Sequence, residues 1–299
     1  MRRTCCAIII GIALGSCRPE TPEALESNVP KLTSNITIFE VYLDNPASLD
    51  QLSTFLKDTL GLPTEWNSFD LFGDSIVYDE AFFLGNTTFE LVTLYQGDTT
   101  MDQLARCNRI IFGVPDIEKL SIAIRDDFQH APPSDFNIVS GGKQITMGRQ
   151  TNLDSLSKAS GFYVSFWQYL QEGFSFSDRA VNAVTKEELY EKLGESLASN
   201  TIGIKELKEV HLILSQKALG QWHKLLGPSV DNHWKMKNGP IISYDIGSSD
   251  MGIQWITLSV EKIEMAKRYL EDMEILSERD GKVSISRTED FGLKVFMEE

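Results

Sequence analysis

Residues 36–62, with the sequence ITIFEVYLDNPASLDQLSTFLKDTLGL, hold the pattern that decides the fold. The first eight residues alternate like a half-buried β-strand, so a strand is predicted over residues 36–43. A set of apolar residues then recurs at helical spacing: Leu49, Leu52, Phe55, Leu56 and Leu60. This spacing predicts an amphipathic helix from about residue 48 to residue 60, whose apolar stripe must pack on one face of a sheet.

The same strand-and-helix unit recurs three more times along the chain. The predicted strands are residues 109–114, 207–214 and 253–260, and the helices that follow them are residues 116–128, 219–226 and 263–273. Further strand-like segments come after the helices, separated by turn residues such as Gly85 and Asn86. Each unit therefore has the order β-α-β-β with room for one more strand, and the repetition predicts an α+β fold built from four modules.

Composition and charge restrict the partners of the chain. The 299 residues are 42% hydrophobic, which suits a globular protein long enough for two domains. Acidic side chains outnumber basic ones by 43 to 28, for a formal charge of −15. Because binding to phosphates requires a surface rich in Lys and Arg, this balance excludes nucleic acid as the expected partner.

The N-terminus has the features of a bacterial export signal. Arg2 and Arg3 precede an apolar run at residues 7–14, which is too short to span a bilayer. Residues 14–17, Leu-Gly-Ser-Cys, resemble the lipobox that directs cleavage before the Cys and its lipidation, although Gly15 is an unusual residue at its position. The resemblance implies a signal peptide over residues 1–16 and a lipid anchor on Cys17; a plain secretory signal is the alternative.

The expected anchor implies a place in the cell. Residues 17–34 contain Pro19, Pro22 and Pro30 and no aromatic residue, which is typical of an extended tether. We therefore expect an exported protein that the membrane holds by its acyl chains, in the bacterial cell envelope. Arg18 is not the acidic residue that retains some lipoproteins at the inner membrane, so the outer membrane is favoured. Cleavage would leave Cys107 as the unmodified thiol, and we interpret it as a small core residue.

Several short motifs resemble the vicinal-oxygen-chelate superfamily, which includes glyoxalase I, extradiol dioxygenases and fosfomycin-resistance proteins. Residues 55–62 (FLKDTLGL) and 222–227 (WHKLLG) are similar to its helix ends, residues 112–118 (FGVPDIE) to its strand-to-helix turn, and residues 88–91 (TFEL) to the last strand of a module. The resemblance implies tandem βαβββ modules forming two glyoxalase-like domains with curved mixed sheets. It places the first domain at residues 35–170, a linker with a short helix at 171–203 and the second domain at 204–299.

Family members that use a metal place its ligands, usually His and Glu, in the first and last strands of a module. By position, the first-strand sites fall on Glu40, Arg109, Glu209 and Trp255, none of which is His. The last-strand sites fall on the following residues or close to them: Glu90, Ser165, Asp245 and Phe296. Missing first-strand His residues argue against the usual transition-metal centre, because such metals favour imidazole.

Two clusters remain as candidate ligand-binding sites. Glu40, Glu90 and Arg109 are interpreted as a polar ion-pair network inside a cavity, with a residual acid–base or metal site as the alternative. A site for a divalent metal, Mg or Mn, held by carboxylates and water remains an alternative; no other cofactor is predicted. In the second half, Glu209 and His211 lie two residues apart on a strand and share a face. Val210, Leu212 and Leu214 form the competing apolar set, which favours the cavity side for His211.

The sequence leads to one main hypothesis for function and two alternatives. No signature of a nucleophile elbow, a phosphate-binding loop or a zinc protease is present. We therefore expect a membrane-anchored glyoxalase-like lipoprotein that binds a small organic ligand in a sheet-lined cavity, through Glu40, Glu90, Arg109, Glu209, His211 and Trp255, without the usual His-based metal site. The alternatives are a metal-dependent lyase or dioxygenase with a carboxylate-rich ligand set, and a non-catalytic interaction protein of the cell envelope.

Overall fold

The structure is a computed structural model. It describes residues 35–67, 77–94, 108–140, 143–170, 185–279 and 281–299. The expected signal peptide, the tether with Cys17, and Cys107 lie outside the described residues. Among the described residues, no helix is both long and apolar enough to cross a membrane.

The first half of the chain forms an eight-stranded sheet with the strand order β2-β3-β4-β1-β5-β8-β7-β6. Its strands are β1 Ile36–Tyr42, β2 Thr64–Trp66, β3 Val77–Leu84, β4 Thr87–Leu94, β5 Arg109–Gly113, β6 Ser134–Ser140, β7 Lys143–Asn152 and β8 Tyr163–Tyr169. The two-residue turn at Gly85 and Asn86 joins β3 to β4.

The second half forms a seven-stranded sheet with the order β10-β11-β9-β12-β15-β14-β13. Its strands are β9 Ile204–Leu214, β10 His233–Lys235, β11 Ile241–Ile246, β12 Gly252–Val260, β13 Leu276–Arg279, β14 Lys282–Ile285 and β15 Lys294–Glu298.

Both sheets are built around the same four-strand centre. In the first sheet, β1 and β5 pair antiparallel, with β4 parallel to β1 and β8 parallel to β5. In the second sheet, β9 and β12 pair antiparallel, with β11 parallel to β9 and β15 parallel to β12. In each sheet, therefore, the first strands of two modules meet at the centre and the last strands flank them. This arrangement confirms the expected α+β fold of tandem modules with curved mixed sheets.

Five of the helices in the described residues lie at predicted positions with shifted ends, and two, Asp154–Ser160 and Ser286–Glu289, were not predicted. They are α1 Pro46–Thr54, α2 Ile117–Ile124, α3 Asp154–Ser160, α4 Lys186–Ala198, α5 Gln216–Leu226, α6 Ile263–Asp272 and α7 Ser286–Glu289. Helix α1 starts two residues before the predicted start because Asn45 caps it, accepting from the Ser48 amide at 2.9 Å, and Pro46 occupies its first turn. It continues into a π-helical turn over Phe55–Thr59. Helix α4 is the short helix that was expected within residues 171–203.

One hydrophobic core runs through both halves of the chain. The helix-side residues of β1 and β5 belong to the same buried cluster as those of β9 and β12. Trp222 of α5 is fully buried, packs against Phe112 and Phe162 of the first half at centroid distances of 6.2 and 6.1 Å, and donates to Ser160 Oγ at 3.0 Å. The two sheets are therefore parts of one packed unit.

The turn between β3 and β4 presses against β9. A Cβ on Gly85 would lie 2.0 Å from the Lys205 carbonyl oxygen, and the φ of Gly85 is +68°. Beside it, Asn86 donates to the Leu207 carbonyl at 3.0 Å. Only glycine satisfies both the close approach and the left-handed backbone here. This contact fixes the first sheet against the central strand of the second.

Candidate functional site

Each sheet has a second face, turned away from the shared core, which we call the outer face. In β9, Val210, Leu212 and Leu214 belong to the core, so Glu209 and His211 lie on the outer face, as the alternation of the sequence indicates. In β1, Phe39 and Val41 belong to the core and Glu40 to the outer face. The candidate residues from the sequence are therefore collected on the outer faces of the two sheets.

The outer face of the first sheet carries a row of polar side chains across its four central strands. Backbone register aligns Glu90 of β4 with Glu40 of β1, Glu40 with Arg109 of β5, and Arg109 with Tyr163 of β8. Arg109 Nη1 lies 3.3 Å from Glu40 Oε2, and its guanidinium lies 4.9 Å from the centroid of the Tyr163 ring. The structure thus brings together Glu40, Glu90 and Arg109, with Tyr163 as a fourth member of the row.

Burial shifts the proton equilibria of this row towards neutral carboxyl groups. Glu40 is 8% exposed, and burial raises its pKa against the opposing effect of the Arg109 charge. The pKa of Glu90 lies well above its ordinary value because of burial, the neighbouring charges of Glu40 and Asp79, and a hydrogen bond with Asp79. Two carboxyl groups beside a single arginine therefore share a buried environment in which one of them holds a proton readily.

An apolar cluster lies next to this row on the same face. It consists of Ile38, Ile111, Met147 and Trp167, with Phe136, Ile145 and Tyr169 packed around it. The rings of Phe136 and Tyr169 meet Trp167 edge-on, at 5.2 and 5.9 Å between centroids. The outer face of the first sheet is therefore divided between an ion-pair row and an aromatic cluster.

The outer face of the second sheet carries the equivalent row with different chemistry. Register aligns Ser243 of β11 with His211 of β9, His211 with Trp255 of β12, and Trp255 with Lys294 of β15. Glu209 lies in the adjacent row, aligned with Thr257 rather than with Trp255. The sequence mapping placed Glu209 and Trp255 at equivalent first-strand sites. In the observed register, the direct partner of Trp255 is His211, which lies two residues after Glu209 in β9.

His211 is held on two sides within this row. The Trp255 indole stacks on its imidazole, with 3.6 Å between ring centroids and an interplanar angle of 5°. On the other side, His211 Nδ1 lies 2.7 Å from Ser243 Oγ, and Ser243 in turn donates a short hydrogen bond to Glu209. Thr257 donates to the other Glu209 oxygen at 3.3 Å. A continuous chain of polar contacts therefore runs from Thr257 to the imidazole.

The charges around His211 oppose one another. Burial lowers the pKa of His211, the nearby carboxylates of Asp245 and Glu209 raise it, and the Lys282 charge lowers it. Asp245 Oδ2 lies 3.4 Å from Nε2, on a side chain that is 70% exposed. Lys282 Nζ lies 5.7 Å from the centroid of the Phe296 ring, which meets Trp255 edge-on. The neutral imidazole is thus favoured, with a carboxylate beside it and a lysine across the ring pair.

Comparison with solved structures places this architecture among known folds. A hypothetical protein from Staphylococcus aureus matches with a TM-score of 0.58 and 10% identity, over 88% of this chain and 98% of the other. A Mn(II)-bound glyoxalase from Novosphingobium aromaticivorans matches with a TM-score of 0.53 and 10% identity, over 89% and 82%. The 2,3-dioxygenase LapB from Pseudomonas sp. KL28 matches with a TM-score of 0.51 and 14% identity, over 89% and 93%. The chain has the vicinal-oxygen-chelate fold. No family model matches the sequence, and no curated protein does.

Members of this fold that use a metal need several ligand atoms at one point, and neither row supplies them. In the second row, the position level with His211 is filled by an indole, which offers a hydrogen-bond donor and no ligand atom. In the first row, the residue level with Glu40 is Arg109, which is always cationic, is paired with Glu40 and cannot bind a metal ion. Within the described residues, no group of three or more His, Cys, Asp or Glu side chains is placed to hold a metal ion. These side chains do not fit the usual metal centre.

A cavity lies at the β10 edge of the second sheet. It has a volume of about 220 Å³ and lies between the end of α5 and β10, where its lining includes Leu226, Pro228, Val230, Trp234 and Met236. Trp234 is buried below it and donates to the Gly227 carbonyl at 2.8 Å. None of the residues predicted to bind a ligand lines this cavity.

Sequence reasoning missed two members of the second row. Ser243 and Lys294 were overlooked because the last strand of each module was placed only approximately, by motif. Their signal is the alternation within β11 and β15: once Ile242 and Tyr244 are assigned to the core, Ser243 must face the other way. A strand register read from core residues, rather than from family motifs, would have found them.

Proposed function

We propose that this chain is an exported, lipid-anchored protein of vicinal-oxygen-chelate fold, which binds a small organic molecule on the outer face of its second sheet without a transition metal. The stack of Trp255 on His211, at 3.6 Å between centroids, is the observation that supports it best. The register partner of His211, which would need to supply a second atom for binding a metal, is Trp255, whose aromatic ring offers none.

The chemistry of the second outer face suits recognition of an organic ligand. It combines an aromatic pair, Trp255 and Phe296, with the polar chain from Glu209 to His211 and the cation of Lys282. A few polar groups beside an aromatic wall are the usual makeup of a small-molecule site. On the first outer face Arg109 is already paired with Glu40, which favours a structural role for that row.

Metal analysis of the purified full chain in detergent tests the metal-free part of the proposal. The chain is incubated with Zn, Mn, Ni and Fe(II) in turn, dialysed, and its metal content measured. Metal content well below one ion per chain, unchanged by His211→Gln and Glu90→Gln, is the expected result. One tightly held ion per chain that either substitution removes would show a metal-dependent lyase or dioxygenase instead.

Ligand binding is tested by screening small aromatic and carboxylated molecules for an increase in melting temperature. Ligands that stabilise the wild-type chain should lose their effect in His211→Gln and Trp255→Ala, while Arg109→Gln retains it. If no molecule stabilises the chain, or if stabilisation depends on Arg109 and not on His211, the second outer face is not the site.

The anchor is supported by the sequence at residues 14–17 and is tested separately. The wild-type chain should label with a fatty acid and sediment with membranes, whereas Cys17→Ala should do neither. Cys107→Ala is the matched control and should keep both properties. Membrane association of the Cys17→Ala chain without label would point to a different mode of attachment.

A further inference from the structure

The hydroxyl of Ser243 stands between a carboxylate and an imidazole. It donates its proton to Glu209, and its oxygen lies 2.7 Å from His211 Nδ1. A hydroxyl has one proton to give, so its oxygen accepts the second hydrogen bond and Nδ1 is the donor. The single proton of neutral His211 is therefore on Nδ1, and Nε2 carries a lone pair.

Nε2 is buried and, among the described residues, has no hydrogen-bond donor facing it. The histidine as a whole is 7% exposed. Asp245 Oδ2 lies 3.4 Å from Nε2 on a side chain that is 70% exposed; its carboxylate can accept a proton but not donate one, and it raises the pKa of His211 against the larger effect of burial. A buried lone pair without a donor is costly, and a ligand that supplies a proton donor would satisfy it.

We propose that His211 Nε2 is the proton acceptor of the second outer face, that Glu209 and Ser243 are positioning residues that keep the imidazole proton on Nδ1, and that the ligand presents an acidic hydroxyl to Nε2. This inference rests on the proposed function, since it takes the same face as the ligand site. It adds the chemical class of the ligand and the direction of the proton.

The transfer balances with groups already at the site. The O–H bond of the ligand breaks, its electron pair stays on oxygen, and an N–H bond forms at His211 Nε2. The resulting imidazolium is stabilised by the Asp245 carboxylate at 3.4 Å, while Lys282, which also pairs with Glu298 at 3.7 Å, is the cation that acts on the site and can attract the oxyanion. Three charged groups face the imidazole: Glu209 on β9, Asp245 on β11 and Lys282 on β14. The pKa of His211, lowered by burial, keeps it ready to accept at neutral pH.

The position of the proton can be measured directly by ¹⁵N NMR of the full chain with labelled histidine. The chain has four histidines, so the His211 signals are assigned by their loss in His211→Gln. Wild-type His211 should show a protonated Nδ1 and an unprotonated Nε2 at neutral pH. Ser243→Ala and Glu209→Gln should each move the tautomer ratio towards Nε2–H by about fivefold or more, as expected when one ordinary hydrogen bond is lost.

Ser229→Ala is the matched control in the same domain. Ser229 Oγ lies 3.1 Å from Nε2 of His223, so its removal deletes a hydroxyl that bonds a different histidine. It should change the His223 signals and leave those of His211 unchanged. Ser243→Thr restores the hydroxyl and should return His211 to the wild-type tautomer, which a general loss of packing would not do.

The probe for the acidic hydroxyl is 4-nitrophenol, whose anion absorbs visible light. Adding the wild-type chain below the ionisation pH of the probe should raise the anion absorbance, and His211→Gln should not. Protonation of Nε2 in the wild-type chain, a tautomer ratio indifferent to both Ser243→Ala and Glu209→Gln, or equal anion absorbance with wild type and His211→Gln would each overturn the inference. The tautomer measurement needs neither ligand nor metal, so its failure is distinct from failure of the proposed function.

Discussion

The indole of Trp255 lies parallel to the imidazole of His211, with ring centroids 3.6 Å apart. The two residues are register partners on the antiparallel strands β9 and β12. These are the strands from which the first-strand ligands of two modules would face each other. The aromatic pair thus occupies directly paired positions on the first strands of two modules.

Replacing the indole by imidazole should create an affinity for metal. In Trp255→His, two imidazoles would face each other next to Glu209, a donor set that Zn and Fe(II) favour. We expect Zn binding of one ion per chain by titration calorimetry. Trp255→Phe, which keeps an aromatic ring and adds no donor, is the control and should bind no more Zn than the wild type. Equal binding by both variants would place the metal elsewhere.

Glu90 should make the chain less stable as pH rises. Because the folded state raises the pKa of Glu90, the folded chain binds more protons than the unfolded chain above the ordinary value of 4.5. The stability contributed by this residue is therefore present below that value and is lost as pH rises through the raised pKa.

Glu90→Gln mimics the protonated carboxyl and should remove this loss. At pH 8 its melting temperature should exceed that of the wild type by about 2 °C or more, the change that 1 kcal/mol produces in a protein of this size. At pH 4.5 the two should melt together. Glu191→Gln, an exposed change on α4, is the control. A melting-temperature difference that is the same at both pH values would refute this assignment.

Removing Arg109 should cost stability because it leaves Glu40 buried without its cation. We expect Arg109→Gln to lower the free energy of unfolding by about 2–3 kcal/mol, somewhat below the range for fully buried pairs because Arg109 keeps part of its exposure. The double variant Arg109→Gln with Glu40→Gln should recover most of this loss. Urea unfolding at pH 7 measures both, and no recovery in the double variant would mean that the pair is not the cause.

Trp222 should couple the unfolding of the two halves. Trp222→Ala removes a fully buried ring from the interface with Phe112 and Phe162 and should cost about 3–5 kcal/mol. Calorimetry should then resolve two transitions where the wild type shows one. Ser160→Ala, which removes only the hydroxyl that accepts from the indole, should cost about 1 kcal/mol and keep a single transition.

The fold could be predicted from the sequence because strand alternation and helix periodicity recur in every module. Val210, Leu212 and Leu214 alone fix which side of β9 faces the core, and this placed His211 on the correct face. The register between neighbouring strands was harder to predict, because it depends on bulges such as the one between Ile253 and Trp255. A bulge of this kind leaves no local pattern in the sequence.

The same limit explains what was missed at the site. Ser243 became a partner of His211 only through the register of β11 with β9, two strands separated by helix α5 and a hairpin strand. The ion pair of Glu40 and Arg109 was easier to anticipate, since both residues lie at mapped positions of adjacent first strands. Predictions were thus reliable within a strand and weaker across strands.

The close approach of Gly85 to Lys205 makes each half of the chain depend on the other for a complete surface. A turn that tolerates no side chain, together with a tryptophan inserted from the other half, means that neither half has a finished surface when alone. A nascent or proteolysed first half would present Phe112 and Phe162 to water until the second half arrives. A truncated copy is therefore expected to expose apolar surface and to accumulate less than the intact chain.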